Sequence, residues 1–81
     1  MVIPMRLDLF LKKCRIIKRR TVAAQMAKSG RIKKDDRALK PGYDVKIDDE
    51  IEILFGNRVL RVKVTDSSKQ PQYEIINEIQ I

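Results

Sequence analysis

The sequence predicts an α+β domain in which two N-terminal helices pack on a small, mostly antiparallel sheet. Three observations lead there. Apolar residues between Leu7 and Ala27 recur at helical spacing, the period shortens toward two beyond Gly30, and Gly, Pro and Asp punctuate the second half at strand-length intervals. The 81 residues suffice for one core, because a chain this short buries only about 60% of its unfolded surface. Trp is absent and Phe10, Tyr43, Phe55 and Tyr73 are the aromatic residues, so the core is expected to be aliphatic.

Residues 1–5 read as an N-terminal extension, with Pro4 restricting Ile3 to extended conformations. Leu7, Phe10, Leu11 and Cys14 then stand at i, i+3, i+4 and i+7, one buried helical face, which predicts a helix from about Leu7 to Arg15. Asp8 suits its positive end; Lys12, Lys13 and Arg15 suit its negative end. Ile16-Ile17-Lys18 reads as a connector. Thr21 opens a second pattern through Val22, Ala23, Met26 and Ala27, alanine-rich and suited to close packing, and Gly30 is its expected C-terminal stop.

Arg31-Ile32-Lys33 is a strand candidate, with Lys34-Asp35-Asp36 as a turn and Arg37-Ala38-Leu39 as its hairpin partner. Lys40-Pro41-Gly42 is a turn, Val45 and Ile47 alternate with polar residues, and Asp48-Asp49-Glu50 forms an acidic loop. Residues 51–55 and 59–64, joined at Gly56-Asn57, make the clearest hairpin. Asp66 to Gln72 is a polar loop, after which residues 73–76 add a last strand.

Charge is unevenly placed. Residues 6–34 carry eleven Lys or Arg against the single Asp8, whereas residues 35–81 are net acidic in a chain of net charge +7. Six of the nine residues from Lys12 to Arg20 are cationic, yet Cys14, Ile16 and Ile17 thread through them, so these cations are anchored rather than carried on a free tail. Anchored cations with almost no acids among them to form i,i+4 pairs suit a phosphate backbone. They cluster just before a helix N-terminus, where free N–H groups add to the attraction. Arg15, Arg19 and Arg20 rank above Lys12, Lys13 and Lys18, because a guanidinium contacts phosphate bidentately. Arg6 is either a further contact or a partner of Asp8. Arg31, Lys33 and Lys34 extend the positive surface along the first strand, and Lys28 borders it.

Other chemistries lack their parts. With one Cys and no His, neither a disulfide nor a Cys/His metal site forms within the chain. Cys14 reads as a small buried hydrophobe. The acidic group Asp48, Asp49, Glu50 and Glu52 reads as a turn with its flanks, and no nucleophile motif or phosphate-cradling glycine loop is present. No catalytic residue, metal or cofactor is expected. Runs such as Val22-Ala23-Ala24 are far too short to cross a bilayer and residues 1–4 form no signal peptide, so the expected location is the cytoplasm.

The order Met5-Arg6-Leu7-Asp8, Phe10-Leu11-Lys12, Arg15, Lys18-Arg19-Arg20-Thr21, Ala24, Gly30-Arg31-Ile32, Lys40-Pro41, Val45 and Asp49-Glu50-Ile51 resembles the S-four-type RNA-binding domain, named after ribosomal small-subunit protein four. The stand-alone length and the Lys-Arg-Arg run are similar to the bacterial heat-shock-protein-fifteen group. The resemblance implies an RNA-binding domain over residues 6–66 and a C-terminal tail over 67–81, with Arg6, Arg15, Arg19 and Arg20 at the family's RNA-contacting positions. It further implies a monomeric, non-enzymatic factor of ribosome-associated quality control. Its partners would be rRNA of the large ribosomal subunit, peptidyl-tRNA and an RqcH-like elongation factor that adds alanines to stalled chains. Three departures stand out: Leu9 replaces a usual basic residue, Asp35-Asp36 stands where Asn-Gly is common, and Asp48 replaces a usual glycine. The rival readings are a ribosome-assembly protein or RNA chaperone on free rRNA, and, from another class, an adaptor to anionic membranes or acidic proteins.

Overall fold

The computed structural model describes residues 5–80. Its elements are β1 (Met5–Arg6), α1 (Leu7–Lys13), α2 (Arg20–Lys28), β2 (Ile32–Lys34), β3 (Arg37–Ala38), β4 (Asp44–Val45), β5 (Glu50–Leu54), β6 (Arg58–Asp66) and β7 (Gln72–Gln80). Strands β3-β2-β5-β6-β7 form one antiparallel sheet, while β1 and β4 pair separately. This is the expected α+β architecture of two helices on a mostly antiparallel sheet.

Side-chain alternation builds the core. Ile32, Ile51, Ile53, Leu60, Val62 and Val64 form the buried face of the sheet and pack in one cluster with Leu7, Phe10 and Leu11 of α1. Ala23 and Ala27 are the buried residues of α2, small enough for the two helices to approach closely. Met5, assigned to the extension by sequence, is buried and pairs with Val45, so the folded unit takes it in. Residues 1–4 lie outside the described residues.

Helix α1 stops two residues earlier than its apolar spacing predicts, because Arg15 turns to φ 60°. The Arg15 N–H donates to the Lys12 carbonyl and the Ile16 N–H to the Leu11 carbonyl, both at 3.0 Å. That pair of bonds is a Schellman motif, which closes a helix on a left-handed residue. Helix α2 closes the same way at Gly30, φ 79°, with Gly30 N–H on Ala27 at 3.1 Å and Arg31 N–H on Met26 at 3.0 Å. At its other end α2 begins at Arg20 rather than Thr21, and Arg19 occupies the cap position with no side-chain cap.

Asp35 and Asp36 form a two-residue turn between the paired Lys34 and Arg37, both with positive φ, 53° and 64°. Such a turn prefers Asn-Gly, so two aspartates adopt it against backbone preference. Asp48 has φ 75°, a left-handed conformation that glycine adopts without strain. The final strand runs from Gln72 to Gln80, longer than predicted, and pairs with β6 through two irregularities in register. Its apolar residues Ile75, Ile76 and Ile79 are exposed, so length and pairing rather than burial define it.

Candidate nucleic-acid interface

The corner between α1 and α2 gathers most of the cations singled out in the sequence. The left-handed turn at Arg15 reverses the chain, and Ile17, anchored in the core, fixes the connector beneath Lys18, Arg19 and Arg20. Lys12, Lys13, Arg15 and Lys18 line one open concavity at this corner. All four are exposed, as are Arg19 and Arg20. Arg15, Arg19, Lys12 and Lys18 make no salt bridge among the described residues, so their charge is uncompensated by nearby carboxylates.

Arg6 and Arg20 are joined through Asp8, the lone acid of the basic segment. Arg6 Nε lies 3.4 Å and Arg20 Nε 3.5 Å from Asp8 Oδ1, and that oxygen also accepts the Leu9 N–H at 2.7 Å. Asp8 is buried while both arginine side chains stay about half exposed, 53% and 46%. The arginines therefore keep an open side for a ligand. Both readings of Arg6, contact and partner of Asp8, are geometrically compatible.

The remaining candidates lie apart. Lys28 ends α2, eight residues and about 12 Å along the helix from Arg20, and Arg31 follows it in the loop before β2. Lys33 alternates with the buried Ile32 and pairs with Glu52, which puts it on the sheet face turned away from the core. It does not join the corner.

Sequence reasoning missed two participants. Lys13 Nζ donates to the Lys69 carbonyl at 3.1 Å, and Cys14 Sγ lies 3.5 Å from the Pro71 carbonyl, so the β6–β7 loop is latched to the end of α1. Nothing in the local pattern of either segment signalled a contact across 56 residues. The sequence offered Arg6 as the partner of Asp8; that Arg20 shares the same carboxylate was not foreseen, because helical spacing does not relate the starts of α1 and α2. Burial pushes the Cys14 thiol up to about 11, so it stays neutral at ordinary pH and serves as packing.

A second polar cluster forms around Asp49, and its Tyr43 is joined to the start of α1 by the Leu7 N–H, which donates to the Tyr43 carbonyl at 2.8 Å. Asp49 accepts from Lys34 Nζ at 2.7 Å, Tyr43 Oη–H at 2.8 Å and the Lys46 N–H at 2.9 Å. Burial alone would raise the Asp49 carboxyl, but these bonds outweigh it and hold the group below the ordinary carboxylate range. The same bond to Asp49 raises the Lys34 ammonium, and burial raises the Tyr43 phenol. This cluster ties β2 to the loop before β5.

Such an arrangement defines a class: a small two-helix, antiparallel-sheet module with a rigid basic corner. The S4 domain model matches residues 5–51, the segment that holds both helices and that corner. The chain is 49% identical to the RQC P-site tRNA stabilizing factor of Streptococcus pneumoniae, covering 95% of this chain and 96% of that one. It is 42% identical to the factor of the same name from Listeria monocytogenes, over 96% and 92%, and 41% identical to that of Bacillus subtilis, over 91% and 94%. A solved trimeric structure of Vibrio cholerae heat shock protein 15 shares the fold, with a TM-score of 0.81 at 23% identity, covering 90% of this chain and 82% of that one. The chain belongs to the S4 domain family, in the branch that contains the RQC P-site tRNA stabilizing factors. No helix among the described residues is long and apolar enough to cross a membrane.

Proposed function

We propose that this protein is a non-enzymatic RNA-binding factor of bacterial ribosome-associated quality control. In this reading it acts in the cytoplasm as a monomer on obstructed large ribosomal subunits, where it stabilises the P-site tRNA. It contacts rRNA and peptidyl-tRNA through the α1–α2 corner and supports alanine tailing of the stalled chain by an RqcH-like elongation factor. The observation that carries the reading is the corner itself, where Arg15, Arg19, Lys12 and Lys18 are exposed on an anchored backbone without carboxylate partners. The names and near full-length coverage of the relatives support the assignment to P-site tRNA. Recognition runs through phosphate position and RNA shape, since the corner offers cations but no aromatic surface for stacking bases.

The test is cosedimentation with large subunits carrying peptidyl-tRNA over a range of salt. If Arg15, Arg19 and Arg20 each neutralise one phosphate, replacing all three with Ala flattens the slope of log affinity against log salt by about two to three units. An unchanged slope defeats the reading. Equal binding to free rRNA and to loaded subunits favours an assembly or chaperone role instead.

A further inference from the structure

Asp8 is an odd residue for a phosphate-binding face. It is the single acid from Arg6 to Lys34, and by Coulomb's law alone it weakens the attraction of that face for an anion. Its side chain is 6% exposed, yet its arginine contacts are long. Charge-assisted hydrogen bonds that serve stability run about 2.7–2.9 Å, whereas Arg6 and Arg20 stand off at 3.4 and 3.5 Å. The short bond of Asp8 goes to the Leu9 backbone N–H, which fixes the carboxylate on α1.

The atoms that face Asp8 decide what the contact does. Arg20 meets Oδ1 through Nε, so neither of its terminal amino groups is committed to the carboxylate; Arg6 adds one weak contact from Nη2 to Oδ2 at 3.5 Å. Both Nε atoms lie within 3.5 Å of one oxygen, hence within about 7 Å of each other, although the residues come from β1 and from the start of α2. Held by Nε alone, Arg20 keeps a fork for bidentate phosphate contact, whereas Arg6 shares one amino group with the carboxylate.

We infer that Asp8 is a positioning residue: its buried carboxylate gathers Arg6 and Arg20 at one oxygen and orients the uncommitted amino groups, both of Arg20 and one of Arg6, toward the RNA phosphate backbone. This rests on the RNA-binding reading and names how that site is preorganised. Two guanidiniums and one carboxylate leave a net single positive charge, which one phosphodiester neutralises.

Asp8→Asn tests it through the sign of the effect. Asn keeps an oxygen to accept the Leu9 N–H but removes the charge that holds the arginines. A merely electrostatic Asp8 predicts tighter binding once the face gains a unit of positive charge. Positioning predicts roughly five- to tenfold weaker binding to large subunits carrying peptidyl-tRNA, with the Arg6 and Arg20 Nε–Hε NMR resonances of the free protein shifting together. Unchanged or tighter binding by folded Asp8→Asn overturns the inference. Should that variant fail to fold, Arg20→Lys and Arg19→Lys replace it. Both keep the charge, but only Arg20 uses Nε on Asp8, so the Arg20 variant is expected to lose severalfold more affinity, and equal losses overturn the inference. A wild-type chain that does not bind these subunits sinks the RNA reading itself, a result separable from either variant outcome.

Discussion

Asp8 and Asp49 are the buried charged residues among those described, and they hold their cations in opposite ways. Asp49 is saturated, with three donors between 2.7 and 2.9 Å and a carboxyl held below its ordinary range. Asp8 gives its one short bond to backbone and keeps two half-exposed arginines at 3.4 and 3.5 Å. Short bonds to a carboxylate lower the energy of the fold; longer ones to half-exposed cations orient those cations while leaving part of each guanidinium open to another anion. The two buried carboxylates are thus specialised, one for closure and one for presentation.

The largest expected effect removes the saturated carboxylate. Asp49→Asn leaves Lys34 and Tyr43 without their charged acceptor and is expected to cost about 2 kcal/mol, tempered by the partial exposure of Lys34. Urea unfolding measures it. The signs of the two shifts fix its pH dependence. Asp49 sits below its ordinary 3.8, so its contribution is present above that value and fades as pH falls through the lower folded value. Lys34 sits above its ordinary 10.5, so its contribution is present below that value and is lost as pH rises through the higher folded one. Stability of the wild type relative to Asp49→Asn is therefore widest from about pH 4 to 10. The salt slope of RNA binding should not change, and a change would erase the division of labour between the two carboxylates.

The division was partly legible beforehand. Helical spacing at Leu7, Phe10 and Leu11 and the alternation through Ile51 to Val64 reported the core directly, because burial is written in periodicity. The basic corner was legible because six cations in nine residues with apolar anchors have few other uses. Three things were not. Lys69 reaches α1 through the packing of a long hairpin, which local pattern does not encode. Lys33 carries the right charge, but strand alternation turns it to the opposite face of the sheet from Ile32. The end of α1 was overrun because Arg15 has no turn propensity of its own, and only the hydrogen bonds to Leu11 and Lys12 reveal the left-handed residue.

Arg15 and Gly30 extend the comparison to the helix ends, which share a Schellman motif but place different residues at its left-handed position. Gly30 has open space where a Cβ would go, so the cost of Gly30→Ala comes from φ alone. It is expected to lower stability by about 1 kcal/mol, read by thermal unfolding, with subunit binding unaltered. A loss of binding in this variant would mean that the α2 terminus also takes part in the interface.

The smallest stability effect carries the sharpest contrast. Arg15 accepts the strain that Gly30 avoids, and so does Asp36 at φ 64° in the β2–β3 turn. Glycine at either position relieves that strain, offset in part by the greater freedom of the unfolded chain, for a net gain of about 0.5 kcal/mol. Arg15→Gly and Asp36→Gly are therefore expected to raise the melting temperature by similar small amounts. Only Arg15→Gly removes a cation from the corner, so only it should weaken subunit binding severalfold and reduce the salt slope by about one unit. Strain at a charged residue is shared with Asp36, so what sets Arg15 apart is the cation its left-handed backbone places at the corner. If Arg15→Gly is more stable and binds as tightly as the wild type, the left-handed arginine has no such role and the corner must be reassigned to its neighbours.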